Sequence, residues 1–299
     1  MSLFLQLLVG GLSLGAVYAL LALGFVVVFK ASGVVNFAHP AFLMIGAYTI
    51  ARVGAATHLP FALAMLAGVA VAGVAAILVQ RLLVFPMAGK SVIAVSIMTI
   101  GVDIITQTEI IRRIGLDAYI PMHDPWRDKV VRIGALTFPQ TRIAALAVGV
   151  TVIAAFFAWF RFSMWGIAMR AVADDPQTAA LMGVRRAAVS ALAWTLAGVL
   201  AAVAGLFMTV FPSPGLQPAT AAVALRAFPA AIIGGLDSTG GAIVGGLVVG
   251  VAETLVQGYA TDLSFLGGGF HTVMPYVVMV GVLLVRPSGL FGTREMHRV

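Results

Sequence analysis

Cysteine is absent from this 299-residue chain, which removes disulfides, zinc clusters and thiol nucleophiles together. Charge is scarce as well: Asp, Glu, Lys and Arg make up 10% of the residues, against 61% hydrophobic. An ordinary soluble domain is about half apolar and about a quarter charged, so too few polar side chains are present to clothe a water-facing surface. A soluble enzyme, a nucleic-acid binder and a disordered linker all fail on this count. The five histidines (His39, His58, His123, His271 and His297) are scattered. Neither they nor the eleven carboxylates show metal-ligand spacing or a paired acid/base arrangement, so no catalysis, metal or cofactor is expected. The formal charge of +7 would suggest an acidic partner in a soluble protein. In a membrane protein it reports cytoplasmic loops and contact with lipid headgroups. With a mean hydropathy of +1.07, the chain reads as a polytopic membrane protein.

A bilayer core takes about 20 apolar helical residues to cross. Runs of that kind lie near 4–29, 37–53, 61–84, 91–111, 142–160, 187–211, 220–236, 240–260 and 270–285, the second and seventh being short. The fold expected is all-α: a transmembrane helical bundle of eight to nine spans, some of them broken, in one membrane domain over residues 1–299. The first run lacks a basic start and a small-x-small cleavage site before Lys30, so it reads as a span and not as a signal peptide. Grouping Lys30, Arg81, Lys90, the Arg161–Arg186 segment, Arg286, Arg294 and Arg298 on the cytoplasmic side places ten of the eighteen basic residues there. Seven fall on the other side and Arg226 stays within the membrane. The chain then starts outside and ends inside. Residues 112–141, with Asp117, Asp124, Asp128, Pro121, Pro125 and Pro139, form an irregular external cap. Glycines four apart at Gly11/Gly15, Gly241/Gly245 and Gly246/Gly250 let helix backbones approach closely in lipid, which speaks for a compact bundle and for no particular function.

Two apparent nucleotide motifs fail. Gly89-Lys90-Ser91 resembles the end of a phosphate-binding loop, but Val84 stands where its first glycine should be. The glycine spacing of Gly235 and Gly240 is followed by Gly241 in place of lysine. ATP hydrolysis, if transport uses it, falls to another subunit. The segment from Gly166 to Val184 is more informative. Asp175 can cap a helix, Pro176 suits its first turn and Gly183 can end it. About two turns are too short to stand alone in water, and Ala179, Ala180, Leu181 and Met182 have little reason to face solvent. Such a helix either folds back on its own bundle or inserts as a rigid knob into a cytoplasmic partner.

Motifs distributed along the chain resemble the permease subunits of branched-chain amino acid ABC importers, the smaller of the two permease types. They are Gly15-Ala-Val-Tyr-Ala-Leu-Leu-Ala-Leu-Gly24, Gly33-Val-Val-Asn-Phe-Ala-His39, Met169-Arg-Ala-Val-Ala-Asp-Asp175, Ala180-Leu-Met-Gly183, Ala227-Phe-Pro-Ala-Ala-Ile-Ile-Gly-Gly235, Gly241-Ala-Ile-Val-Gly-Gly246 and Arg286-Pro-Ser-Gly-Leu-Phe-Gly292. Their order and spacing cover nearly the whole chain. The resemblance implies that residues 161–186 hold a coupling helix that docks into an ATPase, with Arg170, Asp174, Asp175, Ala179, Ala180, Leu181, Met182 and Gly183 at the contact. It implies a second permease subunit, two ATP-binding subunits and a periplasmic substrate-binding protein as partners in a bacterial inner membrane. The substrate it implies is a branched-chain amino acid, with urea, short amides or other small carboxylates as the alternative. One departure is Pro40, where the family has glycine after the histidine.

Asn36, the chain's only asparagine, lies beside Phe37 and His39 between two apolar runs. A polar break there leaves backbone groups in hydrocarbon unless they line a cavity or pack on protein. Phe228 and Pro229 mark a similar interruption in the second half, and broken helices at matching places in two halves are how many transporters build a midplane site. Asn36, Phe37, His39, Phe228 and Pro229 are therefore the candidate pathway residues. Asp103, Glu109, Arg226 and Glu253 fall within apolar runs, where an unpaired charge is costly; Glu109 lies near a span end. Arg226 and Glu253 match in depth and can pair, fixing two helices or meeting the charges of a zwitterionic substrate. Two other function classes remain: a proton-driven secondary carrier titrating Asp103 and Glu253, and a passive channel of meeting half-helices. Neither accounts for a short amphipathic helix that needs a groove.

Overall fold

In a computed structural model the described residues are 2–56, 59–115, 120, 122, 124–126, 129–133, 136–211, 215–263, 265 and 267–293. His58, Asp117, Pro121, His123, Asp128, Arg294, His297 and Arg298, each named above from the sequence, lie outside them.

The longest element, α1 (Ser2–Ser32), carries no proline and is apolar on every side, the pattern of a helix enclosed by others. It runs through the middle of the bundle, buried from Leu14 to Val28 apart from its ends. Its main neighbours are α11 (Thr239–Gly258), α8 (Arg186–Met208), α5 (Gln140–Phe162) and α10 (Ala227–Gly234). On the far side of α8 lie α2 (His39–Ala56) and α3 (Phe61–Val79), with Trp194 of α8 edge-on to Phe42. Helices α4 (Val92–Ile114) and α12 (Met274–Val285) lie at the periphery. There α3 and α4 turn Leu66, Val74, Ile93, Ile97, Ile104 and Ile105 outward, as lipid-facing helices do.

The contact of α1 with α11 rests on glycine. A Cβ on Gly15 would stand 2.8 Å from Cα of Leu247, and one on Gly246 would stand 2.5 Å from the backbone N of Ala19. Two backbones at such range leave no room for any side chain, the small-residue packing that lipid favours. Connections alternate between two ends of the bundle. Lys30 donates to the Asp237 carbonyl at 3.0 Å, and a cavity of about 380 Å³ brings Lys30, Asp174, Arg186 and Thr293 together at that end. At the opposite end Gly10 faces Arg142 and Thr254, and Gly258 faces Leu7.

Among the described residues six helices are long and apolar enough to cross a bilayer: Leu3–Ser32, Phe61–Met87, Val92–Ile114, Gln140–Phe162, Arg186–Met208 and Thr239–Gly258. The other three apolar runs take different forms. Helix α2 has 18 residues, but His39, Tyr48, Thr49 and Arg52 dilute its apolarity. The seventh run is two short helices, α9 (Thr220–Leu225) and α10, together only about 22 Å of helical rise. The ninth is α12, 12 residues, about 18 Å. Both are shorter than a hydrocarbon core of about 30 Å, so extended and 3₁₀ backbone must complete any crossing, and that backbone must pack on protein. Within 112–141 an antiparallel hairpin, β1 (Val130–Ile133) with β2 (Leu136–Pro139), is present where irregular structure was expected.

Replacing Gly246 by alanine should destabilise the purified protein by about 1–3 kcal/mol through overpacking against α1. Gly240→Ala, on the same helix with nothing within 4 Å of the new methyl, should not destabilise. Thermal unfolding in detergent checks this, and equal behaviour of the two variants would remove the α1–α11 contact as the organising one.

Candidate functional site

Two interruptions of helical structure meet inside the bundle. The first follows α1, where Gly33, at φ +67°, ends the helix. Asn36 Oδ1 then accepts the Ala38 N–H at 3.0 Å, and the Phe37 N–H donates to Thr99 Oγ1 of α4 at 3.0 Å. The turn's amides thus find side-chain acceptors, and α2 starts at His39. The second lies at Arg226, between α9 and α10. Pro229 has no N–H to offer the Leu225 carbonyl four residues back, which stops the helix from continuing. α10 ends in turn at Gly235 (φ +98°), and its last carbonyls are taken up by a C-terminal strap: Leu290 N–H donates to Ile233 O at 2.8 Å and Phe291 N–H to Gly234 O at 3.1 Å.

Phe25 of α1 joins the two interruptions. Its ring lies 5.3 Å from that of Phe228 and 4.5 Å from the His39 imidazole, while Phe37 reaches Phe228 at 5.5 Å. Candidate residues more than 190 positions apart in sequence are therefore neighbours. Asn36, His39 and Pro229 are buried, and Phe37 and Phe228 are half-buried. Among the described residues Asn36 Nδ2 has no hydrogen-bond partner. The Leu21 carbonyl lies beside the His39 ring, yet neither ring nitrogen reaches hydrogen-bond geometry. Burying polar groups unpartnered costs about 1–3 kcal/mol each, and two residues of this break carry them. Pro40 sits in the first turn of α2, where a helix leaves its amides unbonded anyway.

Of the charges expected within apolar runs, Asp103, Arg226 and Glu253 resolve into two arrangements. Arg226 Nη1 meets Glu253 Oε1 of α11 at 2.8 Å, and the other Glu253 oxygen accepts the Tyr18 hydroxyl of α1 at 2.6 Å. This triad ties three elements together at the point where α10 begins, two residues before Phe228. Asp103 stands apart, on the same face of α4 as Thr99 and one turn further on. Gln107 donates to its Oδ2, and its Oδ1 is buried without a hydrogen bond. Glu109 pairs with Arg112 and Arg113 at the exposed end of α4. Tyr18, Phe25 and Thr99 join the site beyond the candidates that the sequence marks. Tyr18 had a signal, since a phenol in an apolar span must place its hydroxyl; Phe25 and Thr99 had none.

At the Lys30 end, Ser163 caps α6 (Met164–Asp174) by accepting the Gly166 N–H at 3.0 Å. Arg170 holds the preceding turn, donating to the Phe160 carbonyl at 2.5 Å with its guanidinium 5.1 Å above the Phe160 ring. Helix α7 (Pro176–Leu181) follows with both ends closed locally. Asp175 Oδ1 accepts the Gln177 and Thr178 N–H groups at 2.9 and 3.2 Å. At the other end Val184 N–H reaches Ala179 O and Gly183 N–H reaches Ala180 O, each at 3.0 Å, around Gly183 at φ +87°, a Schellman closure. Hydrogen bonds from the Thr178 side chain and from backbone amides hold the Asp175 carboxyl below its usual pKa. Its cap is thus complete at neutral pH and is lost only as pH falls through that depressed value. Ala179 packs inward, Asp174 and Ala180 are exposed, and Leu181 and Met182 stand 88% and 81% exposed.

Residues 7–285 match the family described as branched-chain amino acid transport system, permease component. The chain belongs to this family. The permease is thus a component of a transport system whose other subunits complete it, and it is not itself an enzyme. LivH of Salmonella typhimurium, a high-affinity branched-chain amino acid transport system permease protein, is 29% identical over 316 residues, spanning 99% of this chain and 98% of that protein. BraD of Pseudomonas aeruginosa, of the same description, is 28% identical over 314 residues, spanning 99% and 98%. A solved structure, PsaBC from Streptococcus pneumoniae in complex with Fab, superposes with a TM-score of 0.49 at 14% identity, covering 95% of this chain and 92% of that one.

In the permease the Arg226–Glu253 pair should behave as a structural clamp. Glu253→Leu leaves the half-buried Arg226 uncompensated and should cost about 3–5 kcal/mol. The double variant Arg226→Met with Glu253→Leu should recover most of that loss. Unfolding measurements on the parent, both single variants and the double variant close the cycle; strict additivity would sink the clamp.

Proposed function

We infer that the permease forms half of the translocation pathway of an ABC importer for branched-chain amino acids in a bacterial inner membrane, as a single domain over residues 1–299. The observation that carries this reading is the self-capped α7 with Leu181 and Met182 standing free of its own bundle. An apolar pair held out on a rigid two-turn helix suits insertion into a groove of another subunit. On this reading Arg170, Asp174, Asp175, Ala180, Leu181, Met182 and Gly183 lie at the contact with one of two ATP-binding subunits, the inward-packed Ala179 supports them from behind, and the Lys30 end is cytoplasmic. Residues 112–141 cap the external end, where a periplasmic binding protein delivers substrate, and a second permease subunit supplies the other half of the pathway. Asn36, Phe37, His39, Phe228 and Pro229 border that pathway, with Asp103 on the adjacent face of α4. Two relatives that span the chain carry branched-chain amino acid transport in their names, which favours that substrate over urea, amides or other carboxylates.

Alternating access follows from the arrangement. Closure of the ATPases moves α7 together with α6 and the end of α5, because the Asp175 N–H donates to Ala171 O at 3.1 Å across the α6–α7 junction and Arg170 locks α6 onto the end of α5. While α10, clamped at Arg226 and tied by the strap, moves with the block it belongs to, the interruption after α1 is the place where α2 can tilt without breaking a continuous helical ladder. An aromatic cluster there meets branched aliphatic side chains by area and excludes water around them.

Affinity capture of the chain from its native membrane, beside a Leu181→Asp variant, tests the coupling. ATP-binding subunits should accompany the parent and be lost with the variant; their absence from both captures, with extraction verified, would overturn the importer reading. Leucine uptake in cells should fall at least tenfold in Asn36→Ala and in Phe228→Ala, about the effect of 1.4 kcal/mol. Unchanged rate and unchanged preference in both would remove the two breaks from the pathway.

A further inference from the structure

One groove at the Lys30 end shares only Val34 with the interruptions around Phe25 and nothing with α7. It has a volume of about 480 Å³ and is bounded by the end of α1, the end of α3 and the first turns of α4 and α8. Its shape originates in Pro86. Lacking an N–H and clashing with the carbonyl four residues back, Pro86 ends the regular ladder of α3. The chain passes through one π-helical turn (Gln80–Val84) and a 3₁₀ turn (Phe85–Met87) before α4 starts at Val92. Such widened turns recur at functional sites.

Much of the wall is apolar, with Val84, Phe85 and Val95 along it, and it carries two cations, Lys90 and Arg186. Among the described residues no Asp or Glu lines it and neither cation makes an ion pair. The wall runs on into side chains that face outward from α3 and α4: Leu82 is 67% exposed and Ile93 is 72%. A soluble anion would gain nothing from that apolar continuation, and an acidic peptide would leave it facing lipid. An amphiphile matches both parts. Lys90 and Arg186 stand where apolar spans begin, the level at which lipid phosphates lie, and basic pockets between spans are suited to anionic headgroups.

We propose that this groove is a binding site for an anionic phospholipid, its phosphodiester held by Lys90 and Arg186 and an acyl chain lying along Val84, Phe85 and Val95. The Gly89-Lys90-Ser91 triplet, which fails as a nucleotide loop, then serves a phosphate of another kind. Arg186 opens α8 directly after the α7 segment, so lipid bound here fixes the start of α8.

The test uses the full chain in detergent with phosphatidylglycerol and phosphatidylcholine in equal amounts, and counts retained lipids by native mass spectrometry. Phosphatidylglycerol should be retained in preference by roughly thirtyfold, from about 1 kcal/mol per cation. Lys90→Gln with Arg186→Gln should abolish the preference, whereas Arg112→Gln with Arg113→Gln at the other end should leave it intact. Ala88→Trp, which fills the exposed mouth of the groove and leaves both cations, should lower retention as well. An unchanged preference in the Lys90/Arg186 variant overturns the proposal. So does full displacement of phosphatidylglycerol by excess inorganic phosphate, which would mean an anion site without a chain-binding wall.

Discussion

Backbone contact between α1 and α11 is the constraint on which the rest of the molecule depends. With Gly15 against Leu247 and Gly246 against Ala19, the two helices approach as closely as peptide chains can. In lipid, where burial of apolar surface does not drive helices together, dispersion contacts at that range supply much of the adhesion. The contact also sets the register. One turn along, it brings the Tyr18 hydroxyl to Glu253, and Glu253 in turn receives Arg226. A charge that would be expensive in hydrocarbon is thus accepted because a glycine contact several residues away fixes where its partner will be. The position of α10, and of Phe228 on it, follows from that pair.

The same solvent explains why the interruptions sit where they do. Water cannot satisfy backbone groups in the bilayer interior, so irregular backbone survives only against protein. Both interruptions lie against α1, the most enclosed helix of the bundle. Each solves its hydrogen-bond accounting with what is at hand: Asn36 and Thr99 accept the amides of the first, and the strap amides of Leu290 and Phe291 take up the carbonyls that α10 leaves at its end. Of the polar atoms left unpaired among the described residues, those of Asn36 and His39 lie at the first break and that of Asp103 on α4, while the Trp194 indole lies on α8. Polar capacity left open in so apolar a protein is costly, and at the first break it lies where the pathway is inferred to run.

Much of this was legible in the residues. Apolar runs near 20 residues located the long helices, because length and apolarity are local properties. The α7 helix was readable from Asp175, Pro176 and Gly183, since capping is decided within a few positions. Arg226 and Glu253 could be paired because hydrocarbon leaves isolated charges few alternatives. What stayed hidden is what depends on distant chain segments. The crossings of the seventh and ninth runs looked like spans by apolarity, and only packing shows that α9, α10 and α12 are too short to cross unaided. Phe25 is one apolar residue among many in α1, and nothing local marks it as the bridge between the two breaks. The hairpin in 112–141 likewise rests on a four-pair register that proline-rich text obscures.

The division of labour between the two ends is itself informative. Around α7 the hydrogen bonds are short in sequence range: Asp175 to Thr178, Gly183 to Ala180, Ser163 to Gly166. Such a unit keeps its shape wherever its surroundings move, which suits an element that transmits displacement as a rigid body. The strap behaves in the opposite way. Thr293 N–H donates at 2.8 Å to Asp237, whose carbonyl holds Lys30, and Leu290 and Phe291 bond to α10. These bonds span more than fifty positions and tie the ends of α1, α10 and the C-terminal segment into one block. A rigid lever beside a tied block, separated by the cavity that Asp174 and Arg186 share with Lys30 and Thr293, can swing without unfolding either part. Motion delivered at Leu181 would therefore reach α10 by changing that gap, with the helices on both sides preserved.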